Sequence, residues 1–322
     1  MPIVKDIQKA REQKSNVGVR CVRENARDIS GIILLDKAKG ESSNRSLQRV
    51  KRIFNARKAG HTGSLDPLAT GVLPLCFGEA TKVSQFLLEA DKRYLVKIKL
   101  GERTDTGDSQ GKKIKVQKQI KVNLETLRFA LNNFEGEIKQ LPPMYSALKY
   151  KGVPLYKLAR EGIEVERKLR TIKIYKNTLV SFEDNIVEID VTCSKGTYIR
   201  SLADDLGQDL GCGAHVIELR RIQAGRFSVD GCRSLKKLES IKELNGLSAL
   251  DELLVPMDQA IVELPQVFLE HENAKQIKHG QFISLDKLPE SGLVRLYEEE
   301  DFIGIGVINS EGKLSPRRLV SH

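Results

Sequence analysis

The sequence predicts an α+β protein that ends in a small β-barrel. Three observations carry this. Residues 94–100 and 186–193 alternate apolar and polar side chains, with the period of two that a half-buried strand requires. Residues 43–58 and 199–210 repeat their apolar positions at helical spacing. Beyond Pro256 and Pro265 come short apolar bursts at 282–285, 293–297 and 302–308, separated by turn residues as in a small barrel. A chain of 322 residues is long enough for two domains and a large core.

Taken in order, residues 1–28 are polar and basic, with 7 Lys and Arg against 4 Asp and Glu, and are expected to form a mobile arm. In 43–58, Ser42 and Ser43 are capping candidates, and Leu47, Val50, Ile53 and Phe54 form the apolar stripe amid arginines and lysines. A Gly-, Thr- and Pro-punctuated loop follows at 59–71. The apolar run 72–77 then reads as a buried strand. In 94–100, Tyr94, Val96, Ile98 and Leu100 share the apolar face; in 186–193, Val187, Ile189, Val191 and Cys193 do. Lys195-Gly196 turns the chain into a helix striped by Ile199, Leu202, Ala203, Leu206 and Leu210 and stopped at Gly211. That places Tyr198 and Arg200 in its first turn, facing a cleft beside the sheet.

The segment 141–163 interleaves Tyr145, Tyr150 and Tyr156 with Lys149, Lys151, Lys157 and Arg160. Such a mixture suits looped RNA, through phosphate contact and base stacking. A packed helical hairpin with solvated lysines has the same composition. The net charge of +10 is unevenly placed: 255–322 holds 7 Lys and Arg against 11 Asp and Glu, so the rest of the chain is the strongly basic part. A polyanion would be drawn there.

Several classes are disfavoured. No run of about 18 apolar residues is present, so no transmembrane helix is expected. The N-terminus lacks an apolar core of the secretory kind and carries acids that a transit peptide avoids. Five cysteines without a C-x-x-C pair suggest reduced thiols in a cytoplasm. Cys212 and His215 have metal-like spacing but no second pair, so no metal is expected. Neither a Walker A loop nor a dinucleotide fingerprint occurs, and no cofactor is expected.

The loop Gly60-His61-Thr62-Gly63-Ser64-Leu65-Asp66-Pro67-Leu68-Ala69-Thr70-Gly71 is the most informative stretch. Pro67 holds Asp66 out of the α region, and Leu65 and Leu68 bracket it with apolar surface. A carboxylate held so is partly desolvated and needs a cationic partner. As an isolated dipeptide, Asp66-Pro67 would read as a turn-former. No second carboxylate stands in an equally constrained loop nearby, which makes glycoside hydrolysis by paired acids a poor fit.

This loop strongly resembles the catalytic motif of the bacterial tRNA pseudouridine synthase B (TruB) family. The resemblance continues in order through Gly31-Ile32-Ile33-Leu34-Leu35-Asp36-Lys37, Asp91-Lys92-Arg93-Tyr94, Pro143-Met144-Tyr145-Ser146-Ala147-Leu148-Lys149, Cys193-Ser194-Lys195-Gly196-Thr197-Tyr198-Ile199-Arg200 and Leu219-Arg220-Arg221, covering about residues 29–254. Ala38 stands where the family has proline, and Ser64 where alanine is commoner.

The resemblance implies a pseudouridine synthase catalytic domain over 29–254, built on a mixed or antiparallel sheet with flanking helices. It also implies an RNA-gripping insert at about 141–163 and a PUA-like domain over 255–322. The implied activity isomerises a uridine at position 55 in the tRNA T-loop, with Asp66 as the essential carboxylate, whether it adds to ribose or base or abstracts a ribose proton. Arg200 is its implied partner. Tyr94 stacks on the target base, Tyr198 and Leu219 line the uracil pocket, and His61 wedges into the T-loop. Lys37 is left between phosphate contact and bracing Tyr94. The expected partner is tRNA, through the T-stem-loop and, with the C-terminal domain, the acceptor end, with Lys278, Arg317 and Arg318 as candidate contacts. No membrane, no obligate protein partner, a monomer and a cytoplasmic setting are expected. The alternatives are an RNA-folding chaperone without catalysis and a guide-RNA-dependent synthase.

Overall fold

The computed structural model describes residues 25–321. Most of the expected basic arm therefore lies outside the described residues. Its last residues are not the free arm expected: the Arg27 backbone pairs with Asn55 and Arg57, and its guanidinium with Asp251.

A mixed ten-stranded sheet forms the larger body, with shorter ribbons beside it. The strands are β1 (Gly31–Lys37), β2 (Ala59–His61), β3 (Thr70–Phe77), β4 (Lys92–Leu100), β5 (Glu102–Thr104), β6 (Lys113–Val116), β7 (Gly136–Gln140), β8 (Lys149–Tyr150), β9 (Val153–Pro154), β10 (Arg170–Glu183), β11 (Ile186–Cys193), β12 (Ala214–Ala224), β13 (Phe227–Ser228) and β14 (Arg233–Ser234). Spatial order runs β14-β1-β3-β12-β4-β11-β10-β7, with β2 on β3 and β13 on β12. The β3–β12 and β1–β14 pairs are parallel and the other pairs in the path antiparallel. The alternation read in β4 and β11 is real: Tyr94, Val96, Ile98 and Leu100 are buried on one face, as are Val187, Ile189, Val191 and Cys193.

The helices are α1 (Ser43–Ile53), α2 (Ser84–Glu89), α3 (Leu124–Asn133), α4 (Leu155–Arg160), α5 (Ile199–Asp209), α6 (Leu235–Asp251) and α7 (His271–Lys278). Helix α1 stops at Ile53, earlier than the predicted 58. Asn55 adopts φ 50°, its N–H donates to Arg52 O, and Ala56 N–H donates to Lys51 O. This is a Schellman closure, with asparagine in the left-handed position that usually takes glycine. The 141–163 segment is neither a helical hairpin nor a plain loop: the β8–β9 ribbon leads into the short α4.

One core cluster packs α1, α3, α5 and α6 onto the sheet through Val50, Phe54, Val96, Ile189, Leu202 and Leu238. A second lies on the other face around Ile32, Val72, Cys76 and Phe227, and it takes in Ile305 from the C-terminal sheet. That sheet comprises β15 (Gln266–Leu269), β16 (Ile283–Ser284), β17 (Gly292–Glu298), β18 (Asp301–Ile308) and β19 (Lys313–Leu319), in the order β15-β17-β18-β19-β16. It curls as a half-barrel around Val294, Leu296, Ile303 and Leu314, the PUA-like form expected. Its last strand is tied to the larger body by Lys82 Nζ donating to Leu319 O (2.7 Å) and Ser321 N–H donating to Glu79 (2.8 Å).

Candidate active site

The 59–71 loop is fastened at almost every step. Ser42, not Ser43, caps α1 by accepting from Arg45 N. Ser43 turns inward: its hydroxyl accepts from Leu65 N at 2.7 Å and donates to Leu65 O at 3.1 Å. Gly40 N–H donates to Pro67 O, and Ala69 N–H donates back to Asp66 O at 3.0 Å. Asp66-Pro67 therefore does form a turn; the turn is what presents the carboxylate. Leu65 and Leu68 are buried on either side of it. At the loop's end, Gly71 has φ 101°, and a Cβ there would stand 2.1 Å from Arg221 O. Only glycine fits.

Asp66 faces Arg200 across the mouth of a cavity of about 320 Å³. Arg200 Nε donates to Asp66 Oδ2 at 2.8 Å, and an outer nitrogen lies 3.3 Å from Oδ1. The two remaining directions of the fork reach Thr106 O and Tyr145 O, both at 2.7 Å. One side chain thus joins the 59–71 loop, the 105–111 loop and the 141–163 segment. Burial falls on the arginine: its side chain is 5% exposed and that of Asp66 is 40% exposed. The carboxylate is wetter than its apolar neighbours in sequence suggested, because the turn projects it into the open cavity.

A second carboxylate escaped the sequence reading. Asp108 is almost fully buried, with Oδ2 3.9 Å from Arg200 Nε. Its carboxylate accepts from Thr106 Oγ1 (2.8 Å) and Gln110 N–H (3.0 Å). It does not line the cavity, so it supports the guanidinium from behind. The only local signal was a Thr/Asp/Gly-rich turn, Thr104-Asp105-Thr106-Gly107-Asp108, which reads as an ordinary loop.

Of the residues singled out from sequence, Asp66, Tyr94, Tyr198, Arg200 and Leu219 all line this cavity. Tyr94 is 8% exposed; burial raises its phenol above the usual range, with the Arg221 guanidinium beside it. Tyr198 precedes α5 as its cap residue, and its phenol is likewise raised by burial. Two residues do not join them. His61 lies in β2 away from the cavity, and burial, then the Arg221 cation, lower its pKa. Lys37 is 1% exposed, and its ammonium donates to Ala38 O (2.9 Å) and Glu41 O (2.7 Å). Burial brings its pKa down to about 8. Lys37 therefore braces the turn after β1 and does not line the cavity. Lys278, a candidate contact of the C-terminal domain, is engaged by Glu298.

Sequence reasoning also passed over two cations in the cavity wall. Arg221 is 1% exposed, with Nε on Val72 O (2.7 Å) and an outer nitrogen on Gly63 O (3.3 Å). It holds the 59–71 loop to β3. Lys92 sits at the start of β4, donates to Leu88 O at 2.7 Å, and is drawn down to about 8 by burial. The signal for Arg221 was its place in the Leu219-Arg220-Arg221 doublet, since Arg220 faces outward to Asp36.

Three family models match consecutive stretches of the chain. They are the TruB family pseudouridylate synthase N-terminal domain over 51–199, the tRNA pseudouridylate synthase B C-terminal domain over 200–262, and a further pseudouridine synthase II TruB C-terminal module over 265–320. Together they define a pseudouridine synthase with an appended module. The tRNA pseudouridine synthase B of Aeromonas salmonicida (strain A449) is 52% identical over 308 residues, covering 93% of this chain and 96% of that protein. That of Vibrio parahaemolyticus is 51% identical over 306 residues, 92% and 97% of the two chains. The chain belongs to the tRNA pseudouridine synthase B (TruB) family. Among solved structures, an H/ACA RNP bound to a substrate RNA containing 2'-deoxyuridine holds a chain with TM-score 0.70 and 26% identity, covering 91% of this chain and 85% of that one. A Cbf5-Nop10-Gar1 complex gives TM-score 0.69 at 28% identity, covering 90% and 84%.

Proposed function

We propose that this synthase acts on uridine 55 in the T-loop of tRNA, with Asp66 as its essential carboxylate. The observation that carries this is the Asp66–Arg200 pair set against Tyr94 in one cavity of nucleoside size. In the reaction the N1–C1′ bond breaks, the base turns, and C5 joins C1′. C5 loses its proton and N1, freed of C1′, gains one. Atoms and electrons balance within substrate and solvent, so no cofactor is called for.

Each side chain takes a role from its place. Arg200 fixes the orientation of Asp66 by its fork. Tyr94 offers a flat buried face for the base, Leu219 closes the apolar side, and Tyr198 stands at the head of α5. A T-loop uridine must be extruded to enter, at a cost of a few kcal/mol that stacking offsets. The divisions expected at 29–254 and 255–322 give a catalytic domain and a PUA-like RNA-binding domain, and the 141–163 insert, tied to Arg200 through Tyr145 O, covers the loop of the RNA. The enzyme works as a cytoplasmic monomer, and the tRNA supplies its large interface. His61 is the wedge, reached when RNA binds beside β2.

The test is the lone chain with a T-stem-loop RNA and no guide RNA or partner protein. Pseudouridine at the position equivalent to 55 is expected. RNA binding without product would leave a chaperone; product only with a guide RNA would overturn self-contained recognition.

A further inference from the structure

Two cations in the cavity wall have no anion to answer them. Arg221 is 1% exposed and Lys92 8% exposed, both line the cavity, and neither forms an ion pair among the described residues. The acids nearby are taken. Arg200 holds Asp66 and stands 3.9 Å from Asp108, and Asp91 accepts from the Tyr175 hydroxyl at 3.2 Å. Cys193, paired with Lys92 across the β4–β11 ladder, stays a neutral thiol, pushed up to about 12 by burial. What the two cations bond instead are carbonyls. Arg221 reaches Val72 O and Gly63 O, and Lys92 reaches Leu87 O, Leu88 O and Ala90 O at the end of α2. A neutral donor would serve a carbonyl without the cost of desolvating a charge. Two buried charges kept at one wall need a reason.

Their placement gives one. Arg221 stands directly opposite Tyr94 across the β4–β12 pair, and its guanidinium donates to the Tyr94 phenol. Lys92 lies two residues before Tyr94, on the same face of β4. The ring proposed to carry the base thus has one positive charge on the neighbouring strand and another along its own.

Arg200 supports negative charge where the reaction begins, on Asp66. The charge does not stay there. If Asp66 bonds C1′, the electron pair of the N1–C1′ bond leaves on N1. If it takes a proton from C2′, the same pair leaves on N1. If it bonds C6, the pair of the C5–C6 double bond passes to C5 and O4. In each route Asp66 becomes neutral and the uracil ring becomes an anion. The ring is neutral again once C5 has joined C1′, given up its proton, and N1 has taken one from solvent.

We infer that Arg221 and Lys92 form a cationic wall beside Tyr94 that holds the negative charge passed from Asp66 to the uracil ring. Neither has to touch the ring. Little water reaches groups so buried, and an unscreened charge acts across the width of a base. They are positioning residues in this sense, acting through space and, for Arg221, through the Tyr94 phenol.

The experiment uses the full chain in excess over a T-stem-loop RNA, with uridine or 5-fluorouridine at the target. It follows loss of the target nucleoside in a single turnover, beside direct RNA binding. Fluorine draws charge from the ring, so the fluorinated anion needs less support from the protein. Lys92→Met removes a charge at nearly constant length and Lys92→Arg keeps it; Arg221→Gln and Arg221→Lys make the same comparison across the strand pair. Lys92→Met and Arg221→Gln should each slow uridine about 100-fold, the low end for a buried group aimed at developing charge, with RNA affinity within about threefold of the parent. The charge-keeping variants should regain about tenfold of that loss, and on 5-fluorouridine the charge-removing variants should lose only about tenfold. If Arg221→Gln fails to fold because Val72 O and Gly63 O lose their donor, the Lys92 pair decides, with Lys92→Gln replacing Lys92→Met should that variant fail as well. A loss equal on both bases, or equal for charge-removing and charge-keeping variants, is what a purely structural role gives, and it overturns the inference. The inference rests on the proposed reading of the site. A parent enzyme that leaves the stem-loop unmodified overturns that reading, whereas a reacting parent with uniform losses overturns the cationic wall alone.

Discussion

Replacing Arg200 by lysine tests how the site is built. The guanidinium makes contacts of 2.8 and 3.3 Å to Asp66 and of 2.7 Å each to Thr106 O and Tyr145 O. A lysine has one nitrogen and cannot serve all three segments. If it stays on Asp66, two backbone carbonyls lose their donor, at ~1–3 kcal/mol each where they are buried. If it moves to the carbonyls, Asp66 swings free, and its 40% exposure lets water compete for it. Either way charge is conserved and orientation is lost. We expect the rate of isomerisation to fall about 10²–10³-fold, which is ~2.7–4 kcal/mol of barrier. RNA affinity should change by no more than about threefold, because the backbone contacts that dominate it are untouched. The assay is single-turnover release of tritium from carbon 5 of the target uridine with enzyme in excess, beside direct binding of the same RNA. Arg200→Lys turning over at the parental rate would refute the positioning argument. Equal losses in binding and rate would show Arg200 to be an RNA contact instead.

Two further expectations follow from buried geometry. Tyr94→Phe keeps the flat face at 8% exposure and removes only the phenol beside Arg221, so RNA binding should persist while turnover falls; unchanged turnover would show that the hydroxyl takes no part. Gly71→Ala would drive a Cβ to 2.1 Å from Arg221 O at φ 101°, and should lower stability by ~3 kcal/mol or more, read as a drop in melting temperature; a melt within a degree or two of the parent would contradict the close approach.

The parts of this fold that were legible are those written in local periodicity. β4 and β11 announced both their existence and their buried face, because alternation over eight or nine residues leaves little else. Helix α1 was seen, but its end was not: the stripe runs on through Phe54, and the stop depends on Asn55 entering the left-handed region, which asparagine permits but does not dictate. At the site, Asp66 and Arg200 were legible through the motifs around them. Asp108 was not, since it reaches Arg200 from a loop whose composition signals only a turn. The surroundings of Lys37 were equally hidden: nothing local reveals that Ala38 O and Glu41 O fold back to receive its ammonium at 1% exposure.

The most direct measurement is pseudouridine formation in a T-stem-loop by the Asp66→Asn enzyme. The amide keeps the size of the side chain and can still meet Arg200, but it carries no charge. The account predicts that RNA is bound at close to parental affinity and that no pseudouridine forms. Base rearrangement at the parental rate in that variant would contradict it.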